Sequence, residues 1–341
     1  MANQGAHPVA AQRTDRPAGR DTTAAYERLR PLLFSIAYRM LGSVTEAEDI
    51  VQEAFLRYHR VLADQGEPDS PKAYLSAVVT RLSIDQLRSA RARREAYVGE
   101  WLPEPLLTGP EPLGQRAADP AANAELADSL SMAFLLLLER LTPLERAVFL
   151  LHDVFSYGYD ETAGVIGRSA TTCRQLARRA RQHLEAGRPR FDVAARARDE
   201  LAERFFAAVG NGEMSGLLDL LAADVEVHGD NSGVRPAWRR PIVGREHVAR
   251  LLAAIGNQLR DVQGSIRPTE INGQPGALVL APDGSLISVL SIDIADGQVQ
   301  TVRSVISRAK LRHLGPLADL GNLQPERYHE SPRSGRAAAP G

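Results

Sequence analysis

Lysine is almost missing from this chain of 341 residues: Lys72 and Lys310 are its only examples, and arginine carries nearly all of the positive charge. Cysteine is scarcer still. The single thiol, Cys173, excludes an intrachain disulfide and any cysteine-rich zinc site. Aromatic residues amount to 5%. The longest apolar run, Met132 to Leu138, falls far below the roughly 20 residues of a transmembrane helix. The amino-terminal stretch MANQGAHPVAAQRTDRPAGRDTT has no apolar core and does not read as a secretory signal. A cytoplasmic protein without membrane attachment is expected. No His, Cys or carboxylate cluster has metal-ligand spacing and no glycine-rich phosphate loop occurs, so neither metal nor cofactor is expected.

What is present is ordinary globular composition, 44% apolar and 24% charged, with enough chain for two or three domains at roughly 100–200 residues each. A net charge of −1 argues at first against nucleic acid, but a charged patch acts over roughly a Debye length, so the local distribution decides. Ser43 to Glu53 holds four acids and no base, and Gly99 to Asp128 holds six acids against Arg116. Arg168 to Arg190 holds seven arginines against Glu185 alone.

Residues 1–22 lack periodicity and are expected to be a disordered tail. Three helices are expected over 23–95. Tyr26, Leu29, Leu33, Ile36, Ala37 and Met40 give the first, stopped by Gly42. Ala47, Ile50, Val51, Ala54, Phe55, Tyr58 and Leu62 give the second, opened by acids that suit a helix amino end. A longer third runs from Lys72 to about Arg94. Prolines 103, 105, 110, 112 and 120 make 96–122 an acidic, extended linker. Helices resume near Asn123, and Thr142, Pro143 and Glu145 form a capping box with proline at the first helical position. A short helix Tyr159 to Ile166 ends at Gly167, and Ser169 caps another with Cys173, Leu176, Ala177, Ala180 and Leu184 on its buried face. Over 190–315, helices precede alternating strands joined at Asn272-Gly273, Asp283-Gly284 and Asp296-Gly297, which predicts an α+β domain with an antiparallel meander sheet. Residues 316–341 read as a flexible tail.

Tyr159 to Leu184 has the form of a helix-turn-helix. Its second helix presents Ser169, Thr171, Thr172, Arg174 and Gln175 at the end that enters a major groove, where Arg reads guanine and Gln reads adenine. Arg178, Arg179 and Arg181 lie where phosphate contacts position the protein.

Longer segments carry a resemblance. YERLRPLLFSIAYRMLGSVTEAEDIVQEAFLRYHR with SPKAYLSAVVTRLSIDQLRSARARRE resembles domain two of the extracytoplasmic-function sigma factors of bacterial RNA polymerase, and LTPLERAVFLLHDVFSYGYDETAGVIGRSATTCRQLARRARQHL resembles their domain four. YVGEWLPEPLL, ERFFAAVGNGEMSGLLDLLAADVEVHGD and INGQPGALVL are similar to a subgroup with a fused SnoaL-like domain. The implied architecture is multidomain: two all-α sigma domains, a three-helix unit and a helix-turn-helix bundle over 123–188, then an α+β SnoaL-like cone with a curved antiparallel sheet.

The resemblance implies promoter-directed initiation with core polymerase, through its β′ clamp helices and β flap, and promoter DNA as partners. It assigns Glu48, Asp49, Gln52 and Glu53 to polymerase, and Ser169 to Arg181 to minus-35 DNA. Asp69, Lys72, Arg81, Arg88, Arg91, Arg93 and Arg94 go to minus-10 recognition and melting, where a flipped base is captured and basic groups hold the strand. Linker acids Glu100, Glu104 and Glu111 are expected to meet the basic walls of polymerase channels. Two subgroup motifs are altered. Where DGGGK is usual, the chain has Asp230-Asn231-Ser232-Gly233-Val234, and where NPDKL is usual, Ser307-Arg308-Ala309-Lys310-Leu311. Asp230, Gly233, Lys310 and Leu311 are the retained regulatory positions.

SnoaL-like relatives include cyclases and isomerases, so an enzymatic reading must be weighed. His228 and Asp230 lie two apart on a strand, hence on one face, as an acid–base pair would, and His247 and Trp238 could line a pocket. A regulatory domain, with any small-molecule ligand unknown, is favoured over catalysis. The alternative from another class is a helix-turn-helix regulator with a ligand-sensing domain; the Glu46 to Arg94 helices discriminate, since such a regulator has no use for them.

Overall fold

The computed structural model describes residues 18–95, 100–108, 129–185, 195–231 and 240–319. The first three helices are α1 (Ala18–Leu41), α2 (Val44–Asp64) and α3 (Pro71–Glu95). Helix α1 begins inside the segment read as a disordered tail, because nothing between Ala18 and Thr23 breaks a helix; Gly19 costs only about 1 kcal/mol there. Ser43 caps α2, accepting the Glu46 N–H at 3.1 Å, and Val44, Ala47, Ile50, Val51, Ala54, Phe55 and Tyr58 form its buried face.

Among the described residues four more helices follow: α4 (Met132–Leu138), α5 (Pro143–Phe149), α6 (Tyr159–Ile166) and α7 (Ala170–Glu185). The Thr142–Glu145 capping box opens α5, which continues into a π-helical turn over Leu150–Val154. The two helical units do not have separate cores. Leu33, Ile36, Leu75 and Val79 belong to one buried apolar cluster with Leu138, Val148, Leu151 and Val165. Arg146 pins the junction, donating to the carbonyls of Met40 (2.7 Å) and Leu138 (2.6 Å) and pairing with Glu139 at 2.9 Å. It thereby satisfies orphan carbonyls at two helix ends.

The carboxyl-terminal unit contains α8 (Ala195–Asn211), α9 (Met214–Leu220), β1 (Leu221–Asp230), β2 (Ile242–Val243), α10 (Arg245–Asp261), β3 (Ser265–Ile271), β4 (Gln274–Leu280), β5 (Leu286–Ala295), β6 (Gln298–Val305) and α11 (Arg308–Leu311). Among the described residues, six strands form one sheet in the order β2-β1-β6-β5-β4-β3. Strands β3 to β6 are an antiparallel meander, turning at Asn272-Gly273 and Asp296-Gly297 with positive φ at both residues of each pair. The sheet is mixed rather than antiparallel, because β1 pairs with β6 in parallel, His228 opposite Arg303 and Asp230 opposite Val305. Helices and hairpins intervene between these strands, and alternation alone does not report relative direction.

Each face of the sheet is covered. Phe205, Val209, Leu217, Val248 and Leu252 pack on Val227, Ala277, Val279, Ile292 and Val302 of one face. The opposite face, with Leu278, Leu280, Val289 and Val305, packs on Leu102, Leu107 and Met132 from outside the unit. At about 2 kcal/mol of transfer free energy for each fully buried apolar side chain, those three residues attach the helical body firmly. The stretch 100–108 is therefore a strap between two layers, not an extended solvated linker; the rest of the expected linker, 96–99 and 109–122, lies outside the described residues. The expected tail also begins late, since Leu286 accepts from Ala318 N–H and donates to Pro316 O.

Candidate nucleic-acid interface and its restraints

The helix-turn-helix is built by local chemistry. Gly167 ends α6 in the left-handed region at φ 66°, a conformation that favours glycine, and Ser169 Oγ accepts the Thr172 N–H at 3.1 Å to start α7. Cys173, Ala177, Ala180 and Leu184 are buried, and burial pushes the Cys173 thiol pKa up, as befits a core residue. Ser169, Thr171, Arg174, Gln175, Arg178, Arg179 and Arg181 are exposed; Thr172 is half-buried and shares a 2.8 Å hydrogen bond with Ser169. Two of the arginines also have local partners. Arg174 lies over the Tyr159 ring at 5.3 Å, and Arg181 pairs with Asp153 at 2.7 Å.

Helix α3 follows exposed Asp69, with Ser70 Oγ accepting the Ala73 N–H at 3.2 Å. Its basic face does not all look into solvent. Lys72 Nζ sits 5.2 Å from the Tyr157 ring centre, and Ser76 and Tyr157 share a 2.8 Å hydrogen bond. Arg81 donates to Val165 O (2.9 Å) and Gly164 O (3.0 Å), capping the carboxyl end of α6. Arg81 is thus an inter-helix clasp here rather than a free strand contact. Arg88 pairs loosely with Asp85 at 3.3 Å. Arg91, Arg93 and Arg94 lie on the last turns of α3.

On α2, Asp49 and Gln52 are exposed. Glu48 receives two hydrogen bonds from Arg30 Nη2, at 2.6 and 2.8 Å, and Glu53 pairs with Arg57 at 2.7 Å. Between them stands Leu56, an apolar side chain 48% exposed on the acidic face. Sequence reading missed it, although its position four residues after Gln52 was the available signal.

The restraints centre on the strap. Asp230, with 0% exposure, lies 2.5 Å from Lys310 Nζ and accepts the Leu102 N–H at 2.9 Å; Lys310 in turn donates to Leu102 O at 2.5 Å. The two charges kept from the altered motifs therefore hold one residue, Leu102, by both its backbone N–H and its carbonyl. Lys310 also lies 4.5 Å from the Trp101 ring, and Leu311 is buried behind it. Gly233 falls outside the described residues.

Further along the strap, Glu104 is buried and accepts from Ser43 Oγ (2.8 Å), Val44 N (2.8 Å) and Thr45 N (3.1 Å), capping α2 from a distant segment. Within the chain, Glu104 is thus engaged by the start of α2 and is not turned outward. Glu100 is likewise engaged, by His228, while Glu111 lies outside the described residues. Tyr38 donates to Glu104 O at 2.7 Å and accepts from Asn272 Nδ2 at 2.7 Å, joining α1, the strap and the β3–β4 turn; burial raises its pKa.

The acid–base pair does not form. His228 and Asp230 share a face of β1 but bind different partners. His247 is exposed and contacts Val243 O, and Trp238 is outside the described residues. Among the described residues no group of three His, Cys or carboxylate side chains could hold a metal ion, and no helix is long and apolar enough to cross a membrane.

Comparison with known proteins identifies the family. Residues 25–93 match the Sigma-70 region 2 model and residues 131–184 match Sigma-70, region 4. The chain is 38% identical over 295 residues to the ECF RNA polymerase sigma factor SigJ of Mycobacterium tuberculosis (strain ATCC 25618 / H37Rv), covering 80% of this chain and 88% of that one. The chain belongs to the ECF family of RNA polymerase sigma factors. A probable ECF sigma factor SigI of Mycobacterium tuberculosis (strain CDC 1551 / Oshkosh) is 32% identical over 301 residues, covering 88% and 97%. The crystal structure of M. tuberculosis SigJ superposes with a TM-score of 0.66 at 34% identity, covering 87% of this chain and all of that one. This sigma factor therefore binds core RNA polymerase and promoter DNA to direct transcription initiation, and its helical units are followed by a SnoaL-like mixed sheet. The match to region 2 sets aside the polymerase-independent regulator.

Proposed function

We propose that the carboxyl-terminal domain of this sigma factor holds the promoter-reading helices in a closed arrangement that must open before both promoter elements are read. The observation that carries this reading is the Asp230–Lys310 clamp on Leu102, reinforced by Glu104 on the cap of α2. By their names, the minus-35 and minus-10 elements lie about 25 base pairs apart, roughly 85 Å of duplex at 3.4 Å per pair. With Arg81 hydrogen-bonded to α6, the two reading helices are far too close to span that distance. The body must therefore part at the α3–α6 contact.

In the open state we assign Thr171, Thr172, Arg174 and Gln175, entered by Ser169, to base edges of the minus-35 element, and Arg178, Arg179 and Arg181 to its phosphates. Asp69, Lys72, Arg81, Arg88, Arg91, Arg93 and Arg94 serve capture of the unpaired minus-10 strand. Asp49 and Gln52, with Glu48 and Glu53 beside them, offer an acidic helix face to the β′ clamp helices, and domain four meets the β flap. The chain performs no bond chemistry of its own; polymerase does, in the cytoplasm.

Run-off transcription with core polymerase tests the reading. Asp230→Asn combined with Lys310→Met is expected to alter promoter-specific output relative to wild type while core binding is retained. Equal output from both proteins at equal occupancy of core overturns it.

A further inference from the structure

A second attachment of the strap lies one residue before Trp101. On β1, His228 presents both ring nitrogens to carboxylates, Nδ1 to Glu100 at 2.5 Å and Nε2 to Glu226 at 2.9 Å. A neutral imidazole has one N–H and one lone pair, so it satisfies one carboxylate and opposes the other. Only the imidazolium donates to both. Glu226 and His228 are neighbours on one strand face, whereas Glu100 belongs to the strap, so the ring's charge decides whether the strap is held at this point.

We propose that His228 is a proton-controlled latch: protonated it holds Glu100 and the strap against the sheet, and deprotonated it releases them. The surrounding charges support this geometry. From β6, Arg303 faces the ring but is itself paired with Asp293 of β5 at 2.6 Å. From its own strand come Glu226 and Asp230, the latter neutralised by Lys310 of α11; Arg240, preceding β2, is exposed. Burial of the ring favours the neutral form and Arg303 adds to that, yet the two carboxylates outweigh both, and the His228 pKa lies above its ordinary value of 6.5. A raised pKa fixes the sign. The contribution is fully present below about pH 6.5 and is lost as pH rises through the raised value, the imidazolium fraction falling about tenfold per unit beyond it. Release therefore accompanies alkalinisation. A second histidine touches the strap, His313, whose Nε2 lies 2.8 Å from Pro105 O and whose Nδ1 lies 4.0 Å from Glu104. It has one carboxylate rather than two and serves as the control.

Trp101 reports the strap. In full-length protein carrying Trp238→Phe, acrylamide quenching of the remaining tryptophan is followed from pH 6 to 9.5. The expected result is a rise in quenching above pH 6.5, a shift of that rise to lower pH in Glu100→Gln, and uniformly high quenching without a rise in His228→Gln. His313→Gln retains the rise. Should His228→Gln fold poorly, Glu226→Gln, at a half-exposed position, is expected to move the rise to lower pH as well. A flat wild-type profile, or a rise that persists unchanged in His228→Gln and Glu226→Gln, overturns the latch. Its consequence for transcription rests on the regulatory reading above, and the outcomes separate. A quenching step with pH-independent promoter output leaves the latch standing and refutes that reading, whereas a missing step refutes the latch whatever the output does.

Discussion

Replacing Lys310 with methionine removes the ammonium that faces a fully buried Asp230 carboxylate at 2.5 Å and keeps an apolar stem of similar length. Breaking a buried ion pair from one side leaves an uncompensated charge and costs about 3–5 kcal/mol. The Leu102 N–H still donates to Asp230, which argues for the lower half of that range, but Leu102 O loses its ammonium donor in the same change. In Asp230→Asn with Lys310→Met the buried charge is gone while an amide oxygen still accepts from Leu102, so the double variant should recover about 1–3 kcal/mol of the single variant's loss. Urea unfolding, read as a full double-mutant cycle with Asp230→Asn, gives these values. Hydrogen exchange at Leu102 and Glu104 locates the loss on the strap, with faster exchange expected in Lys310→Met. A single-variant cost below 1 kcal/mol, or a cycle in which the two changes add, would refute the reasoning that this pair acts as one clamp.

Other outcomes follow from individual contacts. Arg81→Ala removes two hydrogen bonds to the end of α6, and should lengthen the α3–α7 separation measured by energy transfer while weakening single-stranded minus-10 binding; unchanged separation would argue against the clasp. Arg178→Ala should weaken minus-35 DNA uniformly across sequences and reduce the salt slope by about 0.9, whereas Gln175→Ala should relax sequence preference instead, both measured by titration at several salt concentrations. Thr142→Ala removes an N-cap acceptor from α5 and should cost about 1 kcal/mol in urea unfolding.

The helix-turn-helix was legible because its determinants are local: Gly167 at a left-handed position, Ser169 as cap, and a buried stripe of Cys173, Ala177, Ala180 and Leu184. The three hairpin turns were legible for the same reason. The strap was not. A proline-rich acidic segment has the composition of a solvated linker, and what buries Leu102 and Glu104 comes from Asp230, Lys310 and Ser43, far away in sequence. Asp230 and Lys310 could be singled out only through the resemblance to a subgroup, and their meeting could not be foreseen from two altered motifs. Arg81 illustrates the other limit. An arginine on the exposed face of a basic helix has the same pattern whether it awaits a nucleic-acid strand or caps a neighbouring helix. The parallel pairing of β1 with β6 belongs here too, since a strand's alternation records which side is buried and not which way its neighbour runs.

The separation of the two reading helices is the most direct test of the closed-state account. Donor and acceptor dyes at cysteines introduced at the exposed positions Arg88 and Gln182, with the buried native Cys173 left in place, report it by energy transfer. Free sigma factor should give high transfer, and addition of core polymerase with promoter DNA should lengthen the separation by tens of ångströms, on the order of the roughly 85 Å between promoter elements. Lys310→Met should lower transfer in the free protein. Transfer that stays equally high in the promoter complex would contradict the account.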